Sequence, residues 1–294
     1  QAPPIQQTPP PQYAGQVPVS PMPPQPKKKS SRGLMIGCAA LVLIDFGAQI
    51  DEVVDRCSGN ILHKTVQAVS GIKLQTRYDE EKVRRVRSVV ITLLQRLLDH
   101  GVDPDYRSAI DGAGTPLVEA VLFREREIIN LLLQYGAGAS TPSGLAKITP
   151  LNAAFMTLDD QPVDPVIVHR LLDAGADPRL DPKPEFIAER LTDVDAQTAR
   201  RLFEHHLDPN LGNGLSNAIQ YSRADLVREF IRAGVDLNSY RDKPLGTLPL
   251  VKAVQFKKWE IVDLLIEAGA DPNVDSHMPG VTVRQILTSE SRLK

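Results

Sequence analysis

The sequence predicts an all-α solenoid of stacked helix pairs, and three observations lead to this fold class. One phrase recurs along the chain: two or three aliphatic residues, two polar or small residues, Gly, a small residue and, in most copies, Asp. The glycines of these copies follow one another at irregular steps, mostly of roughly 35 residues, a period typical of stacked repeats; they are Gly101, Gly136, Gly175, Gly234 and Gly269. Aromatic residues make up only 5% of the chain, which suits a thin aliphatic core.

Each copy of the phrase predicts a helix, its end and the loop that follows. The glycine stands just past an aliphatic run, where a left-handed residue ends a helix and Gly adopts that conformation most easily. The next helix begins at Thr115-Pro116-Leu117 and at Thr149-Pro150-Leu151, where Thr caps the helix and Pro takes its first position. Leu248-Pro249-Leu250 keeps the Pro and lacks the cap. The unit is therefore an extended loop, a short helix, a tight turn and a longer helix with a glycine stop.

This unit resembles the ankyrin repeat, whose pattern runs Gly-x-Thr-Pro-Leu-His-x-Ala, then a short turn, then an aliphatic helix ending in Gly-Ala-Asp. The copies that match over the helix pair, the second of them with an insertion in its turn, are 115–136, 149–175, 213–234 and 248–269. Residues 182–210 resemble a degenerate copy in which Leu207 takes the glycine position. The resemblance implies a stack of about six repeats, the number that such a length accommodates.

Incomplete copies are expected at both ends of the array. Residues 60–63 resemble a first helix whose second helix, 89–98, follows only after an insertion. Residues 40–51 resemble the second half of a still earlier repeat, and 281–287 resemble a closing first helix.

The domain organisation has three parts, of which the repeat array is the largest. Residues 1–32 are rich in Pro and Gln and end in a basic cluster, so we expect a disordered arm. Residues 33–51 are expected to form one apolar helix, and 52–290 the ankyrin-like array.

The apolar helix has two interpretations. Residues 33–50 follow a basic cluster, as a membrane anchor would. However, the uncharged run ends at Asp45 and is shorter than the roughly 20 residues that span a bilayer, and 43–51 match the end of a repeat. We favour a buried or capping half-repeat, and keep a membrane segment as the alternative.

Composition restricts the class of protein. The chain is 42% apolar and 24% charged, as expected of a folded soluble protein. The net charge of −2 argues against a general nucleic-acid binder. Only Cys38 and Cys57 are present, so we expect no disulfide framework and a reducing, cytoplasmic location. The alternative is membrane anchoring with the repeats in a soluble compartment.

No motif in the sequence predicts catalysis. Cys57 and His63 lie close in sequence with Asp55 nearby, but His63 takes the place of the ankyrin-pattern His, whose family role is structural. His205 and His206 are adjacent on a helix and point to different faces, whereas zinc needs three or four converging ligands. We therefore predict a protein that is not an enzyme, with no catalytic residue, cofactor or metal.

A partner would bind where the stack leaves side chains free. The resemblance implies that two positions near the end of each first helix face the concave side; they are Leu122 and Phe123, Met156 and Thr157, Gln220 and Tyr221, and Gln255 and Phe256. Three copies place an aromatic at the second position, namely Phe123, Tyr221 and Phe256. Exposed aromatics are typical anchors of binding sites, although they also pack onto neighbouring helices.

Two loop tips carry the same dipeptide, Tyr106-Arg107 and Tyr240-Arg241, of residue types that are enriched at interfaces. These residues complete the candidate surface, unless they pack onto loop prolines. We therefore predict a monomeric scaffold that binds a protein partner on its concave face and loop tips. The alternatives are a scaffold tethered to a membrane through 33–50, or the non-catalytic part of a larger enzyme.

Overall fold

The computed structural model describes residues 65–66, 80–106, 114–144, 146–156, 161–239, 248–276 and 278–290, which form twelve α-helices and no β-strand. The helices are α1 Glu80–Asp99, α2 Pro116–Leu122, α3 Arg126–Gln134, α4 Pro150–Phe155, α5 Pro165–Asp173, α6 Pro184–Glu189, α7 Ala196–Glu204, α8 Gly214–Gln220, α9 Ala224–Arg232, α10 Pro249–Gln255, α11 Trp259–Glu267 and α12 Val283–Ser289. The predicted all-α class is confirmed. The predicted arm 1–32, the apolar helix 33–51, Cys57 and His63 lie outside the described residues.

The helices form two layers. Five consecutive pairs run from α2–α3 to α10–α11, and within the stack each first helix contacts the next first helix while each second helix contacts the next second helix. Helix α1 packs on α3 as the second helix of an earlier pair, and α12 packs on α10 as a closing first helix. The solenoid predicted from the glycine spacing is therefore the observed architecture.

The second helices bury the same three positions in every pair. Each of α3, α5, α7, α9 and α11 is nine residues long and buries the third, fourth and seventh residues after its N-cap. These residues are Ile128, Ile129 and Leu132; Ile167, Val168 and Leu171; Thr198, Ala199 and Leu202; Leu226, Val227 and Phe230; Ile261, Val262 and Leu265. Such spacing places one apolar stripe on a helix, and stacking the stripes forms a continuous core.

The starts of the first helices follow the sequence signals. The Thr115 hydroxyl accepts a hydrogen bond from the Val118 backbone N–H at 3.4 Å, and Thr149 accepts one from Asn152 at 3.0 Å. Leu248 has no side-chain cap bond, as predicted. Thr282 and Gln285 form a reciprocal capping box, which sets the start of α12 at Val283.

The helix stops are left-handed, and one of them was assigned to the wrong residue. All five predicted glycines have φ between 80° and 94°. In the degenerate copy, His206 has a φ of 72° and donates its backbone N–H to the Phe203 carbonyl. The glycine position is therefore His206, and the assignment to Leu207 is wrong by one residue. Leu207 is buried, in the place that Ala137 holds in its own repeat, because the core needs an apolar side chain there.

Replacing His206 by glycine is expected to stabilise the chain by about 1 kcal/mol, because left-handed backbone is costly for every residue except Gly. Denaturant unfolding measures the change. The reverse substitution Gly175→His, in the neighbouring repeat, should destabilise by a similar amount. A loss of stability in His206→Gly would show that the imidazole makes a contact that outweighs the backbone strain.

The recurring Asp of the loops forms a local turn. Its carboxylate accepts a hydrogen bond from the backbone N–H two residues later, at 2.8–2.9 Å, in Asp103, Asp177, Asp208, Asp236 and Asp271. This geometry is an Asx turn, which favours Asp over other residues. The motif is explained by the repeat loop, without a bound ion.

The third residue of the loop turn joins neighbouring loops, including Ser140 of the loop 138–140, where Gly138 takes the place of the Asp. A side-chain oxygen accepts a hydrogen bond from a backbone N–H of the next loop in four junctions: Asp105 to Gly138, Ser140 to Asp177, Asn210 to Asp236 and Asn238 to Asp271. The equivalent residue in the remaining loop is Arg179, which has no acceptor atom and pairs with Asp177 at 2.7 Å instead. The guanidinium of Arg179 holds the pKa of the Asp177 carboxyl below its ordinary value.

The second-helix layer is cross-linked by ion pairs. A bond between charged side chains joins each second helix, or its N-cap, to the next one: Arg87 to Glu125, Arg126 to Asp164, Arg201 to Asp173, Arg200 to Glu229 and Arg228 to Glu260. Glu229 is buried, and its carboxylate accepts hydrogen bonds from both Arg200 and Arg232. The bond from Arg200, followed by that from Arg232, lowers the pKa of this carboxyl. The charges of this layer are therefore largely engaged between neighbouring repeats.

Candidate partner-binding surface

The first-helix layer presents one residue per repeat at the same structural position. The residues that follow α2, α8 and α10 are Phe123, Tyr221 and Phe256. Each donates its backbone N–H to the carbonyl four residues earlier, at 2.9–3.0 Å, so the three side chains leave equivalent points of the stack. The predicted register of these aromatics agrees with this geometry.

The first helix of the second repeat is one residue shorter than that of the first. Helix α4 ends at Phe155, and Met156 follows it with extended backbone and a half-buried side chain. Thr157, the predicted counterpart of Phe123 in this repeat, lies outside the described residues. In the third repeat, Arg190 follows α6, with its guanidinium over the Phe186 ring at 5.6 Å.

The three aromatic side chains differ in how much of their surface is exposed. Tyr221 is 63% exposed and Phe256 is 44% exposed, whereas Phe123 is half-buried. Within the described ranges these two are the exposed aromatic side chains. Because α8 and α10 pack against each other, Tyr221 and Phe256 belong to adjacent repeats. With the exposed Gln220 and Gln255 that precede them, they form what we call the aromatic patch.

The turn beside Tyr221 is fixed by Arg223. Its guanidinium donates to the Thr192 carbonyl at 2.8 Å and to the Val194 carbonyl at 3.0 Å, both in the preceding repeat. The same side chain pairs with Asp225 at 2.8 Å, which lowers the pKa of that carboxyl. The patch therefore rests on a turn that is tied to its neighbour, which favours a preformed surface.

The turns after the patch residues are also left-handed. Ser222 has a φ of 59° and Lys257 a φ of 53°, and both are exposed. Lys257 and its neighbour Lys258 were not among the predicted site residues. No sequence signal singles them out, since only their position beside Phe256 in the folded turn makes them part of this surface.

Of the four predicted loop-tip residues, the structure describes Tyr106 alone. Tyr106 is half-buried and donates its backbone N–H to the Asp103 carbonyl at 3.1 Å. Arg107, Tyr240 and Arg241 lie outside the described residues.

The described part of the chain shows no metal centre. Within it, no group of three or more His, Cys, Asp or Glu side chains lies close enough together to hold an ion. His206 is exposed at a helix end, and His205 is half-buried beside it. Likewise, none of the described helices has the length and apolarity needed to cross a bilayer.

Comparison with known families supports the repeat assignment. The family model of the ankyrin repeat matches residues 245–277. This range contains α10, α11 and Phe256 of the aromatic patch. No curated protein matches the chain significantly.

Proposed function

Because the chain carries an ankyrin repeat, a module of protein–protein interaction, we propose that it is a scaffold that binds a partner protein on its first-helix layer. The binding site is the aromatic patch on α8 and α10, within the concave side that stacks of this kind offer to partners. The scaffold has no chemistry of its own and acts as a monomer in the cytoplasm.

The single observation that carries this proposal is the exposure of two aromatic side chains at one structural position in adjacent repeats. A folded chain gains free energy by burying a large ring, so a 63% exposed Tyr221 beside a 44% exposed Phe256 leaves apolar area available to a partner. Aromatic anchors of this kind supply most of the binding energy at many interfaces.

The two layers differ in what they offer to another protein. Charged side chains of the second helices pair across every junction described above, and binding there would have to compete with those pairs. No ion pair joins the two rings of the aromatic patch, and the backbone that carries them is already ordered. A partner therefore loses little free energy to ordering of this surface.

The double variant Tyr221→Ala/Phe256→Ala is expected to weaken partner binding at least about tenfold, since one aromatic anchor contributes about 2 kcal/mol. Its melting temperature should change by no more than about 2 °C, because exposed side chains contribute little to stability. The full-length chain is immobilised as bait, and the captured proteins are quantified by mass spectrometry. The partner is the protein whose capture depends on the two rings.

The matched control is Val166→Ala/Leu180→Ala, which removes two other exposed apolar side chains, 50% and 60% exposed, outside the patch. Capture of the partner should be unchanged by the control pair. Equal recovery of every captured protein on the wild type and on the patch variant would contradict the proposal.

A further inference from the structure

The turn after Phe256 carries two positive charges, those of Lys257 and Lys258. Lys257 is exposed and Lys258 is half-buried, and no carboxylate among the described residues pairs with either ammonium group. The nearest acidic side chain along the chain, Glu260, is engaged by Arg228 at 2.8 Å. Phe256 is therefore followed by two cationic groups that have no ion-pair partner in the described part of the chain.

Cations in or beside the turns of other repeats are neutralised or otherwise engaged. Arg124 donates to the Pro162 carbonyl at 2.5 Å, Arg190 pairs with Asp193 at 3.0 Å, and Arg223 pairs with Asp225 at 2.8 Å. Those guanidinium groups serve the stack itself. Within the described ranges, the side chains of Lys257 and Lys258 make no comparable bond, although the chain as a whole has a net charge of −2.

Given the proposed function, we propose that the aromatic patch recognises an acidic peptide segment with an apolar anchor. The anchor side chain packs on the rings of Tyr221 and Phe256, and carboxylates that flank it pair with Lys257 and Lys258. Complementary charge of this kind speeds encounter and selects among partners that share the same apolar anchor. An extended acidic segment of another protein fits both features at once.

Two other occupants fit the surface less well. A nucleic acid needs a broad basic surface, whereas the isoelectric point of the chain is about 6.3 and this turn offers two lysines. The chain's own Pro-rich arm ends in the basic run 27–29, which the lysines of the turn would repel.

Selection from a random linear peptide library displayed on phage, with the full chain as bait, tests the inference. The enriched peptides are expected to be acidic and to contain a Phe, Tyr, Trp or Leu. Fluorescence anisotropy with one labelled, enriched peptide should then show binding about tenfold weaker for Lys257→Glu/Lys258→Glu, and a loss of affinity as salt rises.

The matched control is Lys147→Glu, because Lys147 is also exposed and left-handed, with a φ of 50°, and lies in another loop. The control should bind the labelled peptide as the wild type does. Enrichment of neutral or basic peptides, an unchanged affinity in the double charge reversal, or displacement of the peptide by oligo-dT or by a peptide of residues 1–32 would overturn the inference. If those results came with a partner that still depends on Tyr221 and Phe256, only the acidic chemistry would be wrong; loss of that dependence would refute the binding site as well.

Discussion

Truncation of Phe230 to alanine is expected to lower the free energy of unfolding by about 4 kcal/mol, the range measured for fully buried phenylalanines. Phe230 is completely buried in α9 and its ring packs edge-on against Phe203, with centroids 5.0 Å apart. The cavity would open between α7 and α9, at the centre of the stack. Because repeat stacks draw their stability from interfaces between neighbours, one lost interface weakens both halves.

Chemical denaturation, followed by far-ultraviolet circular dichroism, measures this loss. The control is Phe203→Ala, which removes the partner ring from a half-buried position and should cost clearly less. A loss below about 1 kcal/mol for Phe230→Ala would mean that the site collapses around the missing ring, and that the repeats are more loosely packed than the structure indicates.

Addition of a single methyl group at Gly214 is expected to cost about 2 kcal/mol through overpacking. A Cβ at this position would lie 2.4 Å from the Ala188 carbonyl oxygen and 2.8 Å from Cζ of Phe230. Neither the backbone of α6 nor a fully buried ring can yield easily. Helices α2, α4, α6 and α10 carry Pro at this first position. Helix α8 has Gly there instead, because it approaches α6 too closely for the Pro that the repeat pattern predicts.

The melting temperature of Gly214→Ala should fall by several degrees, by about 5 °C for a chain of this kind. Gly114→Ala is the matched control, since its new Cβ would meet the Ser143 hydroxyl at 2.8 Å, and a small side chain can rotate away. Similar melting temperatures for the two variants would show that α6 and α8 can separate without cost.

Local signals in the sequence predicted the helix ends well. A left-handed stop requires Gly in most contexts, and a Thr-Pro pair starts a helix by the hydrogen bonds of its own few residues. The left-handed conformation of His206 was not predicted, because a polar residue can also adopt it when its side chain points into water. The glycine position was therefore assigned wrongly to the buried Leu207 beside it.

The candidate site was predicted only in part, because exposure depends on neighbouring repeats. Phe123 and Phe256 hold the same position in their repeats, yet Phe123 is half-buried and Phe256 is exposed. The charge state of the turn at Lys257 is likewise not visible in the sequence, because Glu260, the nearest acidic residue along the chain, pairs in the fold with Arg228 of α9.

The most direct test of the binding surface combines two measurements on one preparation of the Tyr221→Ala/Phe256→Ala chain: its affinity for the captured partner and its melting temperature. We expect the affinity to fall at least about tenfold while the melting temperature stays within about 2 °C of the wild type. Unchanged affinity, or a fall in melting temperature of several degrees, would show that the two rings serve the stack and not a partner.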